Sequence, residues 1–591
     1  MRGGGVASVT SIVGLLCALD GDRNTELTFT PSGDDCCLFA SMGARKRRER
    51  LRLYVQIAFA LVRSRSLNSF TLCQCPSELL VFIVEALKYN MVLRQFEVVV
   101  HGDDVNIETE GFLLDNETGV AMAEFLKHSM VLQHFVLDAS RSGMDNVTGV
   151  AMAEALKHNT VLQRFQLVAC GTGMDNVTGQ AMADALKHNM VLRCFQFDAG
   201  GTDIDDVTGV AMAGALKYNT VLQYFHFVGV MGNVGGSAMA GALKHNTVLG
   251  RFHLDVHGIA MDNGVGVAMA DALRCNVVLR GFGLVACGTG MDNFTGLAMA
   301  DALACNTRLR EFEFDVGETG MDNVTGVAIA RVVGHSSALE CFQFGAHMTS
   351  MDNETGVAMA GALMHNSVLQ RFRLNMCGTG MDDVAGVAMA SALRCTKQLQ
   401  CFQFVVHGTG VTNVTGVAMA GALKCNTGLM RFKFSVCETG VGNGTGVAMA
   451  CALKHNILLQ EFQLDAFGTG MDDETGVAMA DALQYNVVLQ HFQIYGCSMR
   501  KTHAVEQACI LRNRAILKQR HILTGLSRCV ADTGFECLCD VVVRSRVMGY
   551  FLPPACRLWP IDFVSTRHRR QWKWVVVALS QTRGSRRALV A

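Results

Sequence analysis

The sequence predicts an α/β solenoid of about 14 strand–helix units of 30 residues. Three observations lead there. The triplet Ala-Met-Ala begins at positions 121, 151, 181, 211, 238, 268, 298, 358, 388, 418, 448 and 478, with Ala-Ile-Ala at 328. A fixed period of that size is the signature of stacked repeats. Between the triplets, a helical apolar pattern is followed by an alternating one, so each period holds one helix and one short strand. None of the five prolines falls between positions 77 and 552, so nothing in that span interrupts a regular array.

The chain divides into three regions: 1–76, 77–500 and 501–591. Residues 1–76 show no repeat. They hold the apolar run Val6 to Leu19 and the basic cluster Arg45-Lys46-Arg47-Arg48-Glu49-Arg50-Leu51-Arg52. The cluster reads first as the solvated face of a helix, and second as a nuclear-localisation or anionic-surface element.

Residues 77–500 form the array, opening on a degenerate copy around Glu85-Ala86-Leu87. In the unit beginning at Gly149, Met152, Ala155 and Leu156 fall at i, i+3 and i+4, one apolar helix stripe. Ala151 and Ala153 are small enough to let parallel helices stack side by side. Glu154 and Lys157 at i, i+3 are expected to pair, and Asn159 to end the helix in a left-handed turn. Leu162, Phe165 and Leu167 then alternate as a strand with one buried face. The Gly-Thr-Gly-Met-Asp-Asn segment is turn chemistry, ending in Asp145 or Asn146 as helix cap in the preceding copy. Extra residues around Asp103 to Phe112 predict a looped-out insertion, and a shortfall near Gly232 and Asn233 predicts a pinched turn. After 500, Ala504 to Arg514 reads as a helix capping the open core, followed by an irregular basic and aromatic tail.

A net charge of −1 with 17% charged residues gives no reason to expect nucleic acid. The 23 cysteines are phased with the repeat. Cys170, Cys287, Cys377, Cys437 and Cys497 follow strands, whereas Cys275, Cys305, Cys395 and Cys425 end helices. Helices side by side stand about 8–10 Å apart, beyond the roughly 7 Å that a disulfide spans. Free thiols in a reducing, cytoplasmic setting are therefore expected, with secretion through a weak leader at Val6 to Leu19 as the alternative. No uninterrupted run of about 18 apolar residues is present to span a bilayer. The sequons at Asn116, Asn146, Asn176, Asn293, Asn323, Asn353, Asn413 and Asn443 share one repeat position, where turn and cap chemistry already call for Asn. The histidines recur at helix ends, where a cation is favourable. No catalytic, phosphate-binding or metal motif emerges; a His226–His253 metal pair and Cys537-Leu-Cys539 are the weak candidates. The expectation is a protein without enzymatic activity, cofactor or metal.

Leu162-x-x-Phe165-x-Leu167-x-x-Cys170 resembles the leucine-rich repeat signature, with aromatic residues in place of some leucines. The attached Gly149 to Asn159 is similar to the helical half of the ribonuclease-inhibitor-like subfamily, found also in NOD-like receptors and Ran GTPase-activating proteins. The resemblance covers about residues 77–500. It implies a right-handed horseshoe, with a parallel sheet on the concave face and helices outside. His257, Gly317, Val230 and Phe467 depart from the family's Asn/Cys position, so its hydrogen-bonding ladder should be incomplete.

On that frame, the outward strand positions carry identity. Tyr224, His226, Arg251, His253, Asp255, Glu311, Glu313, Asp315, Arg371, Arg373, Arg431 and Lys433 are the candidate partner-binding residues, acidic near the centre and basic toward the C-terminal side. They imply a monomeric scaffold that binds an unknown protein. The alternatives are a regulator of a small GTPase and a sensor module like the repeat half of a NOD-like receptor.

Overall fold

The computed structural model describes residues 5–20, 24–30, 44–99, 114–256 and 261–496, together with Ile510 and Asn513. Among these, strands and helices alternate from β1 (Gly5–Val9) and α1 (Ile12–Asp20) to α16 (Asp473–Tyr485) and β17 (His491–Tyr495). All 17 strands join one open parallel sheet, and each pairs with its neighbours in sequence. The fold is an α/β repeat solenoid. It also begins earlier than the sequence repeat does. β1, β2 (Asn24–Phe29) and β3 (Ser69–Cys73) precede the 77–500 array yet extend the same sheet, which raises the strand count above the expected 14. The apolar run Val6 to Leu19 is spent on β1 and α1, whose Ile12, Leu15 and Leu19 are buried. The basic cluster lies on α2 (Ala44–Arg63), where Arg45 to Glu49 are exposed. No helix among the described residues is long and apolar enough to cross a membrane.

One unit explains the rest. In α5 (Asn146–His158), Thr148, Gly149, Met152, Ala153, Ala155 and Leu156 are buried. In β6 (Arg164–Val168), Phe165 and Leu167 turn inward while the alternate positions stay accessible. The inward phenylalanines form a continuous row from Phe135 to Phe492, with neighbouring ring centroids about 6 Å apart. That is close to the spacing of adjacent strands with a lateral offset, the arrangement that ring quadrupoles favour.

Polar side chains then lock one unit to the next. Asp145 caps α5, its carboxylate accepting from Val147 N at 2.7 Å. The neighbouring Asn146 looks forward: its Oδ1 accepts from Asp175 N (3.0 Å) and Thr178 Oγ1 (2.8 Å) of the following unit. Thr178 in turn lies against Gly149, where a Cβ would fall 2.1 Å from the hydroxyl oxygen. The recurring Asn-x-Thr-Gly is thus one joint written twice: Asn reaches forward, Thr reaches back, and Gly leaves room for it. Only an acceptor is required, so Asp383 replaces Asn and accepts from the equivalent groups, Thr412 N, Thr415 N and Thr415 Oγ1, and additionally from Thr412 Oγ1.

Two expectations are corrected. Asn159 is not left-handed; its φ of −72° and ψ of 125° are extended. It is buried and makes four hydrogen bonds instead. Nδ2 donates to Leu126 O and Ser129 O of the preceding unit, and Oδ1 accepts from Val161 N and Leu162 N. Equivalent asparagines repeat this from Asn90 to Asn486, and Asn513 continues it by donating to Asn486 O and Leu489 O. The inter-unit ladder therefore runs through the residue after each helix. At the Cys170 position side-chain links between units are sporadic: Cys287 Sγ donates to Asp315 Oδ1 and His407 Nε2 meets Ser435 Oγ, whereas Cys170 itself is only half-buried. Lys157 pairs with Asp184 on the next helix (2.7 Å), leaving Glu154 to His158. The left-handed residue lies in the turn after the strand, at Gly171 (φ 66°) and its counterparts Arg141 and Glu318.

The pinched turn is present: residues 229–232 join β8 (Tyr224–Val228) to α8 (Asn233–His245), against 169–175 in the unit above. Gly232 there caps its helix without a side chain. The expected insertion near Asp103 to Phe112 and the tail beyond Asn513 lie outside the described residues, as does most of the capping helix.

Candidate functional site

Strand positions one, three and five face away from the helices and form three rows across the open side of the sheet. β9 (Arg251–Asp255), β10 (Gly281–Val285) and β11 (Glu311–Asp315) set the centre, followed by β12 (Cys341–Gly345) and β13 (Arg371–Asn375). In the first row, register places Gly281 between Arg251 and Glu311. Two strand spacings, about 10 Å, would normally separate those charges. Gly281 has no side chain, so Arg251 lies across it and its Nη2 stands 2.8 Å from Glu311 Oε1. A Cβ at Gly281 would fall 2.9 Å from Arg251 Cγ. On the other side Cys341 is small, and Arg371 Nη2 reaches the same oxygen at 3.1 Å. One carboxylate holds two guanidiniums drawn from four strands' width.

The second row repeats the device. His253 Nδ1 approaches Glu313 at 3.3 Å over Gly283, where a Cβ would lie 2.3 Å from that nitrogen. Gln343 donates to Glu313 and accepts from Arg373 Nη1 at 3.2 Å. At the N-terminal end, the His226 and His253 rings meet edge-on, with centroids 4.3 Å apart. Burial, reinforced by the charge of His253 and opposed by Glu313, lowers the His226 pKa to about 4, so the ring is neutral at pH 7. Tyr224 is half-buried beside it, accepts from Gln196 Nε2 at 3.3 Å, and has its pKa raised chiefly by burial.

The structure therefore joins Arg251, Glu311 and Arg371 in one network. His226, His253, Glu313 and Arg373 form a second, through Gln343, with Tyr224 beside them. Asp255 and Asp315 occupy the third row, where Asp138, Val168, Asp198, Val228, Asp255, Val285 and Asp315 alternate. Carboxylates there never occupy adjacent strands, which avoids like-charge contact at about 5 Å. Arg431 and Lys433 lie farther along, on β15 (Arg431–Ser435); Lys433 stands 3.8 Å from Asp465. Glu311 is thus paired with two guanidiniums, and the open-face residues from Arg371 to Lys433 include no acid.

Sequence reasoning missed Gly281, Gly283, Cys341 and Gln343. Its available signal was the alternation of large and small residues along the first row: Arg251, Gly281, Glu311, Cys341, Arg371, Cys401, Arg431. Beyond the third row, the post-strand cysteines are half-buried and, like every described cysteine, free thiols. Burial and the Asp315 charge push the Cys287 thiol up to about 12. A separate groove of about 1020 Å³ runs along the strands' leading ends, lined by Arg280, Arg308, Arg310, Glu340, Lys397 and Gln400 among others.

No family model matches this sequence, and no curated protein matches it. Among solved structures, the chain is similar to one described as "Crystal structure of Rad7 and Elc1 complex in yeast". That match has 13% identity and a TM-score of 0.38 over 61% of this chain and 80% of that one. A second, "Leiomodin-1 Actin-Binding Site 2 (ABS2)", has 16% identity and a TM-score of 0.20, with 30% and 82% covered.

Proposed function

We propose that the chain is a non-enzymatic interaction scaffold that binds a protein partner on the open face of its sheet. The observation that carries this reading is the two-guanidinium clasp on Glu311. Pairing Arg251 and Arg371 on one carboxylate biases their rotamers and so reduces the side-chain entropy that a partner would otherwise have to freeze. Arginine beside an aromatic such as Tyr224 is the composition that dominates interface energetics. Past the clasp, Arg371, Arg373, Arg431 and Lys433 form a run uninterrupted by acid on β13, β14 (Cys401–Val405) and β15. Such a run suits an acidic segment of the partner and would speed its encounter. The subfamily resemblance fits a scaffold of this kind; a single rim residue of the sort a GTPase regulator needs is not evident among the described residues.

The test is affinity capture with the full chain against a variant in which Glu311, Glu313, Arg371 and Arg373 are all reversed in charge. The reading expects the partners of the wild type to be lost from the variant while its far-ultraviolet spectrum is unchanged. Retention of every partner would remove the site assignment.

A further inference from the structure

The geometry points to a zinc-type divalent cation site formed by Cys287, Asp315 and His347, with a fourth position open to solvent or a ligand. The three residues come from consecutive units: Cys287 from the turn after β10, Asp315 from the end of β11, and His347 from the turn after β12. Cys287 and His347 occupy the same repeat position two units apart, too far to share an ion unless something brings them together. Gly317, the residue between them in that row, does so. His347 folds over it, and a Cβ on Gly317 would fall 2.0 Å from the imidazole. Among the described residues, this is the one place where three ligand atoms of His, Cys, Asp or Glu lie within 4.8 Å of one another.

The separations suit coordination, although Cys287 Sγ also stands at hydrogen-bond distance from Asp315 while His347 Nδ1 lies just beyond it. Cys287 Sγ is 3.4 Å from Asp315 Oδ1, and His347 Nδ1 is 3.6 Å from that same oxygen. Tetrahedral zinc, with bonds of about 2.0–2.3 Å to oxygen, nitrogen and sulfur, sets its ligand atoms roughly 3.3–3.5 Å apart. His347 Nδ1 is buried and has no hydrogen-bond partner, so the nitrogen aimed into the cluster is uncommitted. Glu318 Oε1 lies 3.9 Å from the other ring nitrogen, Nε2, beyond hydrogen-bond distance but near enough for its side chain to turn onto it. A carboxylate behind a ligating imidazole is the usual second partner, fixing its tautomer and orientation. Thiolate, imidazole and one carboxylate oxygen form a mixed set that favours zinc over calcium or magnesium. On binding, Cys287 coordinates as thiolate and its proton passes to solvent. The site stands at the margin of the proposed partner surface and does not depend on it.

The reduced full chain is titrated with Zn²⁺ alone against a chromophoric chelator, and with Co²⁺ alone while thiolate-to-metal absorption is followed. One equivalent of metal with a thiolate charge-transfer band is expected. Cys287→Ser should abolish the band, and Asp315→Asn or His347→Ala should weaken zinc binding by at least about tenfold, as should Gly317→Ala, which keeps every ligand but displaces the imidazole. Glu318→Gln should weaken binding less than loss of any ligand does, whereas Cys425→Ser, at an exposed helix end, should change nothing. A wild type that gives no thiolate band, or a band and affinity that survive both Cys287→Ser and Gly317→Ala, would overturn the assignment.

Discussion

Asn159 and His226 show how single side chains hold or unsettle this array. Asn159 satisfies two carbonyls of the preceding unit and two amides of its own, all in a buried setting. Asn159→Ala leaves those groups without partners, and each orphaned buried group costs roughly 1–3 kcal/mol. A loss of about 2–4 kcal/mol is expected in chemical denaturation, since some of the groups can reach water after relaxation. The sequence showed the asparagine but not its task between units, because the carbonyls it donates to lie 33 and 30 residues upstream. The glycines of β10 were hidden for the same reason: their meaning lies in the long side chains that cross them from neighbouring units.

His226 carries a pH dependence whose sign can be worked out. Its folded pKa is lowered to about 4, mainly by burial and then by His253. Below about pH 6.5, the unfolded chain takes up a proton at this residue that the folded chain refuses. Stability therefore falls as pH drops from about 6.5 to about 4, by at most on the order of 3 kcal/mol before solvent screening. His134 and His407 shift the same way, each chiefly through burial. His226→Gln should flatten the pH profile between 7 and 4 without removing its slope, which denaturation midpoints across that range would show. An unchanged profile would mean that the ring is already hydrated in the folded state.

At the scale of the element, legibility followed the repeat. The stripe of Met152, Ala155 and Leu156 and the alternation of Phe165 and Leu167 predicted helix and strand directly, since a repeated error would have produced a repeated clash. β1 to β3 were not legible because they satisfy the same inward pattern with other residues. Phe70 joins the phenylalanine row opposite Phe96, but α2 carries a basic first half in place of Ala-Met-Ala.

The least regular repeat helix is α11 (Asn323–His335), next to α10 (Asn293–Cys305). Ile329, Val332 and Val333 stand there where α10 has Met299, Ala302 and Leu303. Ser336 replaces the ladder asparagine and keeps only the local bond, accepting from Leu339 N. A cleft of about 550 Å³ opens between the two helices. Repeat proteins open at their weakest interface, so native-state hydrogen exchange should be faster in α11 than in α5. Ser336→Asn should slow it by restoring the bonds to Leu303 O and Asn306 O. Uniform protection along the array would contradict this account of the joint.

For the whole molecule, the ladders and the open face divide the labour. The asparagine row, the phenylalanine row and the Asn-Thr-Gly joints fix the spacing of the strands. Fixed spacing is what allows Arg251 and Arg371 to meet on Glu311 from opposite sides. A scaffold of this kind can change its partner at accessible open-face positions such as Arg251, Arg371 and Arg431 without disturbing the inward phenylalanine row. The most direct measurement of the central claim is the salt-dependent affinity of a captured partner for the wild type, for Arg371→Ala/Arg431→Ala, and for a helix-side control, Lys217→Ala/Lys244→Ala. The account predicts that the open-face double variant weakens binding by at least about tenfold, in line with a hot-spot loss of 1.4 kcal/mol or more, and flattens its salt dependence, while the control binds as the wild type does. Equal affinity for the wild type and the open-face variant, with loss confined to the control, would contradict it.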